Sequence, residues 1–414
     1  MHRNRDIMMS PEELHTPSVG RRLFGPLAVF TALVLAFCAG FILYPFIAPA
    51  IDGLLYDPAN QPGLSRQQYV DLSGEIYDTL TRQFYQTLDP DALLKGQVGG
   101  LGDPYTELMD PSEAAAFEEQ LAGEYVGIGV VISSSKKVDA IEIVRVFSGT
   151  PAEEAGLKAG DIIDAIDGKS ARGLALEDVS LKVKGKAGTS VSLTVERSGE
   201  LVTHLIVRRR VELPVVESRF VDGTIGYISV SSFSSGVAEK FARALQDIRL
   251  QTVDGLVIDV RDNGGGYLNE CLEMLSNFVA NGTALWTREA GGQVNPVNVS
   301  GKTVPFPTVV LVNGNSASAS EIFAAAMQEN RTATIVGTTT FGKGLIQRSW
   351  NLTGGYVLKV TVQEYLTPNK NVIQNNGLKP DFTVADPTVS TLGRLPEDTQ
   401  LARAVELIRE GSQP

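Results

Sequence analysis

At 414 residues, with 43% hydrophobic and 20% charged residues, the chain is long enough for two or three folded domains, and its composition excludes a disordered protein. The net charge of -12 argues against nucleic acid as a partner, because the most basic run, Arg208 to Arg210, is far short of the stripe such binding needs. Two cysteines, Cys38 and Cys271, supply no disulfide framework, and no H-E-x-x-H or clustered Cys/His spacing points to a metal or other cofactor.

Arg3, Arg5, Arg21 and Arg22 precede an uncharged stretch at 23–51. A helix of roughly 20 residues spans a hydrocarbon core, whereas a secretory signal has a shorter apolar core of about 7–15 residues. The stretch therefore reads as an uncleaved transmembrane anchor, although Ala48-Pro49-Ala50 resembles a cleavage site. The arginines before it predict a cytoplasmic tail at 1–22 and place everything after Asp52 on the extracytoplasmic side, periplasmic or extracellular.

A Pro- and Gly-containing linker at 52–63 leads into a helical segment at 64–122, where Tyr69, Leu72, Ile76, Leu80 and Phe84 recur at spacings of three and four. Two shorter helices, at 90–100 and 111–121, bracket the turn-rich run L-G-D-P-Y-T-E-L-M-D-P at 101–111. Residues 124–210 change to an α+β pattern, with strands near 141–146, 162–166, 191–195 and 204–207 and a short helix near 176–184. The runs A-G-L-K-A-G-D and D-I-I-D-A-I-D-G in this stretch resemble a PDZ domain of the bacterial protease-associated type. That resemblance implies a loop ending in Gly-x-Gly, here Val126, Gly127, Ile128 and Gly129, whose N–H groups meet a peptide's terminal carboxylate. The following strand, with Val130, would pair with the peptide.

Strands and helices then alternate over 211–386 in an α/β arrangement: strand 226–230, helix 236–249, strand 255–260, helix 268–280, strand 308–312, helix 318–329 and strand 334–336. More β structure is expected at 344–366, and a C-terminal helical segment at 387–414.

Three features of this last region carry chemistry. Ser316, Ser318 and Ser320 alternate with alanines directly after the apolar V-V-L-V-N, where a serine at a helix N-terminus gains from the dipole or serves as a cap. Lys343 stands in F-G-K-G within a charge-poor run, and burial can depress a lysine toward neutrality. Gln347 follows four residues later, on the same face if both lie in one strand. The third feature, V-I-D-V-R-D-N-G-G-G at 257–266, presents backbone N–H groups in the manner of an oxyanion hole. With histidine only at positions 2, 15 and 204, a Ser-His-Asp triad has no base, and a lysine can take its place.

Together, the order of L-G-D-P-Y, PDZ domain, D-x-R-x-N-G-G-G, S-A-S-A-S-E and F-G-K-G-x-x-Q resembles the carboxyl-terminal processing (tail-specific) proteases over nearly everything after the anchor. The resemblance implies a multidomain α/β protein with a crotonase/Clp-protease-like catalytic core. It implies Ser318 as nucleophile, Lys343 as base and Gln347 as its orienter, with oxyanion donors from Ala319 and from Gly265 or Gly266. It implies protein or peptide C-terminal tails as substrates, no cofactor, and a homo-oligomer, and it leaves open delivery of substrate by an adaptor. Two positions depart from the family's pattern: Asp262 stands where Asn is frequent and Leu345 where a small polar residue is. The alternative is a membrane-anchored PDZ scaffold that binds tails through an inactive protease-like domain.

Overall fold

The computed structural model describes residues 63–411, apart from 136–139, 213, 388–392 and 394, and the chain divides into two compact units between Gln97 and Val98. The expected anchor at 23–51 lies outside the described residues, among which no helix is long and apolar enough to cross a membrane.

In the first unit Ser65 starts α1 (Arg66–Gln83) through a capping box. Its Oγ accepts the Gln68 N–H at 3.3 Å and its own N–H donates to Gln68 Oε1 at 2.9 Å. The apolar stripe keeps its helical spacing, yet no residue of the helix is buried, and Tyr69 and Ile76 remain about half exposed. Asp89 caps α2 (Pro90–Gly99), its Oδ1 accepting the N–H groups of Asp91 and Ala92.

The second unit opens with the L-G-D-P-Y turn, β1 (Glu107–Met109) and α3 (Pro111–Ala122). Asp110 and Glu113 form another capping box, and Gly123 ends the helix at φ +70°. Next comes a small sheet domain: β2 (Glu124–Gly127), β3 (Val130–Ser135), β4 (Ala140–Val146), α4 (Pro151–Glu154), β5 (Ile162–Ile166), β6 (Lys169–Ser170), α5 (Leu176–Val183), β7 (Ser190–Arg197), β8 (Glu200–Val207) and β9 (Arg209–Glu212). Its sheet runs β3-β4-β5-β7-β8, with β6 on β5, and closes over Ile143, Ile163, Val179, Leu193 and Val195. One expectation needs correction. Val126 and Gly127 belong to β2, which pairs with β9, so the connecting loop is only Ile128 and Gly129, and β3 begins at Val130.

The remaining elements are β10 (Val216–Val221), β11 (Ile225–Val230), α6 (Val237–Arg249), β12 (Gly255–Asp259), α7 (Leu268–Leu275), β13 (Asn281–Arg288), β14 (Val294–Ser300), β15 (Thr308–Val312), α8 (Ala319–Glu329), β16 (Thr334–Gly337), β17 (Leu345–Asn351), β18 (Val357–Leu366), β19 (Phe382–Thr383) and α9 (Thr399–Arg409). A six-stranded sheet, β10-β11-β12-β15-β16-β19, is parallel except for β10. Its central strands are buried on both faces, which is why G-L-V-I-D and T-V-V-L-V read as unbroken apolar runs. Alternate residues divide between two cores. Leu256, Ile258, Val310 and Val312 face Phe233, Phe241, Phe278 and Phe323, while Val257, Val309 and Leu311 face Leu401, Leu407 and Ile408 of α9. A second, antiparallel sheet runs β1-β18-β13-β14, with β17 on β18. The β13–β14 hairpin is not evident in the sequence, and the helix expected to reach residue 280 stops at Leu275; a register shift between Thr283 and Leu285 breaks the period-two signal.

Beyond the end of β12, Arg261 is a nearly inaccessible cation. It pairs with Asp259 at 2.6 Å and with Asp398, the cap of α9, at 2.8 Å, and also donates to Gln400 Oε1. Burial pushes the Asp398 carboxyl up, but bonds from Arg261 and the N–H groups of Leu401 and Gly393 outweigh it and hold the group below the usual carboxylate range. Arg261→Met leaves two buried carboxylates without their cation and is expected to cost about 3–5 kcal/mol in urea unfolding. A loss under about 1 kcal/mol would mean that the network is solvated.

Candidate active site

Strands β12 and β15 are neighbours, and each delivers a turn to the same place. After β15 the three serines of S-A-S-A-S separate by role. Ser316 Oγ donates to the Val260 carbonyl at 2.8 Å and accepts the Asn313 N–H. Ser320 Oγ donates to the Asn263 carbonyl at 2.8 Å, and that carbonyl also accepts the Ala317 N–H. Both outer hydroxyls thus fasten the serine turn to the end of β12. Ser318 sits at the N-cap of α8 with φ +55° and ψ −114°, a conformation that costs a non-glycine residue on the order of 1–3 kcal/mol. The strain is held by tertiary bonds on either side.

The glycine turn presses on this serine from the other side. A Cβ on Gly265, whose φ is +102°, would lie 2.9 Å from Ser318 Cβ and 3.0 Å from the Ala319 nitrogen, so only glycine fits. The N–H of Ala319 belongs to the first turn of α8, where no intrahelical acceptor exists. Of the two candidate glycine donors, Gly265 already gives its N–H to Asn263 Oδ1 at 2.9 Å. Phe233 bonds to the Gly265 carbonyl and the Tyr267 N–H, so the intervening Gly266 N–H points away from Phe233. Asp262 does not aim its charge at this turn: its Oδ1 accepts from the side-chain amides of Asn313 and Asn315 at 2.9 and 2.8 Å.

Lys343 lies in the loop before β17 and not in the strand, so strand alternation does not relate it to Gln347. A register shift follows, with Ile346 opposite Gln363 and Gln347 opposite Thr361; the extra residue, Val362, lies in β18 and sets Thr361 across from Gln347. Gln347 is fully buried. Its Nε2 is 3.4 Å from Thr361 Oγ1, and its Oε1 has no hydrogen-bond partner. Burial pushes the Lys343 ammonium down to about 8, and the nearby Lys359 pushes the same way, against the pull of Glu107, Glu321 and Asp103. The Lys343 Nζ stands 5.0 Å from the ring centroid of Tyr105, in the L-G-D-P-Y turn, and Asp103 braces that turn by accepting from Thr106 Oγ1 and the Tyr105 N–H.

Two residues that join these parts carry no expectation from the sequence. Glu321 is wholly buried in the first turn of α8. Its Oε2 accepts the main-chain N–H groups of both Ser318 and Lys343 at 2.9 Å, which keeps those nitrogens within about 5.8 Å of each other. Its Oε1 accepts from Gly342 N–H at 2.8 Å and Thr340 Oγ1 at 2.5 Å. Tyr365, from β18, donates to the Lys343 carbonyl at 2.6 Å and reaches the Ser318 carbonyl at 3.2 Å. Glu321 was within reach of sequence reasoning, since Ser318-x-x-Glu321 is a capping-box spacing. Tyr365 had no local signal. Among the described residues no group of His, Cys, Asp or Glu side chains is placed to hold a metal ion.

Residues 224–384 match peptidase family S41, and residues 142–197 match a PDZ domain family. A Staphylococcus aureus protein described as a probable CtpA-like serine protease is 32% identical over 363 residues, covering 86% of this chain and 71% of that one. The carboxy-terminal processing protease CtpB of Bacillus subtilis is 34% identical over 346 residues, covering 81% and 72%. A solved Bacteroides fragilis structure assigned to the S41 proteases shares the fold, with a TM-score of 0.54 at 18% identity over 80% of this chain and 92% of that one.

Proposed function

We propose the following reaction for this chain, which belongs to peptidase family S41 and is a serine-type peptidase of the carboxyl-terminal processing kind. Neutral Lys343 takes the proton of Ser318 Oγ as that oxygen attacks a substrate carbonyl. The oxyanion is received by the N–H groups of Ala319 and Gly266, each worth about 3–4 kcal/mol in reactions of this type. Lys343 returns the proton to the leaving amine, and a water then hydrolyses the acyl-enzyme with Lys343 again as base. Gln347 Oε1, buried and unpartnered, is the acceptor that orients the lysine. The substrates are extracytoplasmic proteins cut near apolar C-terminal tails, which the PDZ groove captures, with the chain held at the membrane through residues 23–51.

One observation carries this reading. A lysine brought down to about 8 is tied through Glu321 to a serine in a strained turn. The base works only in its neutral form, so kcat/KM on an unfolded protein with an apolar tail is expected to rise about tenfold per pH unit below pH 8. Above that it should level off, where Lys343 has lost its proton. A flat profile from pH 6 to 8, in a protein that stays folded throughout, would remove the lysine from the role.

A further inference from the structure

The L-G-D-P-Y turn has no part in the reaction above, yet it is fastened to the active site. Thr106, next to Tyr105, is buried; its Oγ1 donates to Asp103 Oδ2 at 2.6 Å and accepts the Thr361 N–H of β18 at 3.0 Å. The pairing continues along β1, with Glu107 opposite Lys359 and Met109 opposite Val357. Thr361 in turn stands across from Gln347, its Oγ1 3.4 Å from Gln347 Nε2. One residue of β18 thus holds the turn through its main chain and meets the proposed orienter through its side chain. A connecting turn needs the Asp103 brace, but not this anchorage in the sheet that carries Gln347.

The anchorage sets the Tyr105 ring over the Lys343 amine, with Nζ 5.0 Å from the ring centroid. The charges that face this amine come from four elements. Asp103 in the turn, Glu107 in β1 and Glu321 in α8 favour the ammonium, while Lys359 in β18, itself paired with Glu107, disfavours it. Three carboxylates against one ammonium would keep the lysine charged in water. Burial reverses that balance and brings it down to about 8. A ring acts on an amine in two opposed ways: its face attracts the cation, and its bulk denies the cation water. Water exclusion outweighs attraction at this amine, because burial is the largest influence on it.

We propose that the L-G-D-P-Y turn belongs to the active site, with Tyr105 as a positioning residue whose ring shields the Lys343 amine from water and so keeps it able to accept the Ser318 proton. The inference rests on Lys343 as the base and deepens that reading. The catalytic constellation then draws on chain from both sides of the PDZ domain, and the base is complete only when the turn is seated on β18.

The test compares the full chain with Tyr105→Ala and Tyr105→Phe, following kcat/KM from pH 6 to 9.5 on an unfolded protein with an apolar tail, beside thermal melts at each pH. Tyr105→Phe keeps the ring and should keep the parent's midpoint near 8. Tyr105→Ala admits water, which stabilises the ammonium, so its midpoint should rise by about one unit or more. At pH 7 its kcat/KM then falls about tenfold, and at pH 9.5 it returns to within about twofold of the parent. Tyr105→Gln keeps bulk in the turn but puts a hydrogen-bonding group beside the amine; it should show the same rise and replaces the alanine variant if that one does not fold. A loss of rate equal at every pH, a midpoint that stays or moves down, or a phenylalanine variant that behaves like alanine overturns this inference alone. A parent profile that is flat from pH 6 to 8 would instead remove Lys343 as base, and this inference with it.

Discussion

Ser318→Ala and Lys343→Ala are each expected to lower kcat/KM by about 10⁴-fold or more, a loss of roughly 5.5 kcal/mol of transition-state stabilisation. The double variant should be no worse than either single one, because a nucleophile and its base act as one unit. Neither change should lower thermal stability. The serine variant relieves none of the backbone strain but removes only one hydroxyl, and the lysine variant removes a cation that burial and Lys359 both disfavour. Lys343→Arg should be as inactive as the alanine variant, since a guanidinium does not deprotonate in the working range. Cleavage of a tail-bearing substrate, followed by mass spectrometry beside thermal melts, checks all four proteins. Residual activity within about tenfold of the parent in either alanine variant would show that the assignment is wrong.

Glu321→Gln should have the next largest effect, about 10²–10³-fold on kcat with little change in KM, accompanied by a lower melting temperature. The carboxylate receives four donors, two on each oxygen. A carboxamide keeps its shape but turns an NH₂ on one of those pairs, and each buried N–H left unpaired costs about 1–3 kcal/mol. If the displaced pair is Ser318 and Lys343, the two reacting residues lose their common tether. If it is Thr340 and Gly342, the lysine loop is released from one side. The charge itself provides a separate readout. Glu321 pulls the Lys343 ammonium upward, so removing the negative charge should move the acidic limb of the pH profile below its midpoint near 8. A purely architectural glutamate would destabilise the fold and leave that midpoint in place. Wild-type stability and rate in Glu321→Gln would refute the tether.

How far the sequence leads depends on whether a feature is local. The serine turn and F-G-K-G are short runs with their own chemistry, and both are legible without a structure. The parallel strands of the larger sheet are legible because burial on both faces leaves unbroken apolar runs. The four-residue spacing marks Gln347, but strand alternation does not explain it, because Lys343 precedes the strand and Thr361 is set opposite Gln347 by an extra residue in β18. Val126 and Gly127 looked like loop because Gly-x-Gly usually is one, yet their partners in β9 lie more than 80 residues on and make them a strand. The same distance effect hides Tyr365, which acts on carbonyls 22 and 47 residues away. That the Gly265 N–H is taken by Asn263 is a local bond, two residues apart, but one between side chain and backbone that no glycine pattern encodes.

The arginine at the end of β12 finds one of its two carboxylates 137 residues later. During synthesis, Arg261 emerges long before Asp398, and until residue 398 is available the cation has only half of its compensation. The glycine turn begins within three residues of that arginine, so the strand end from which the proposed oxyanion surface springs is tied to a helix cap far along the chain.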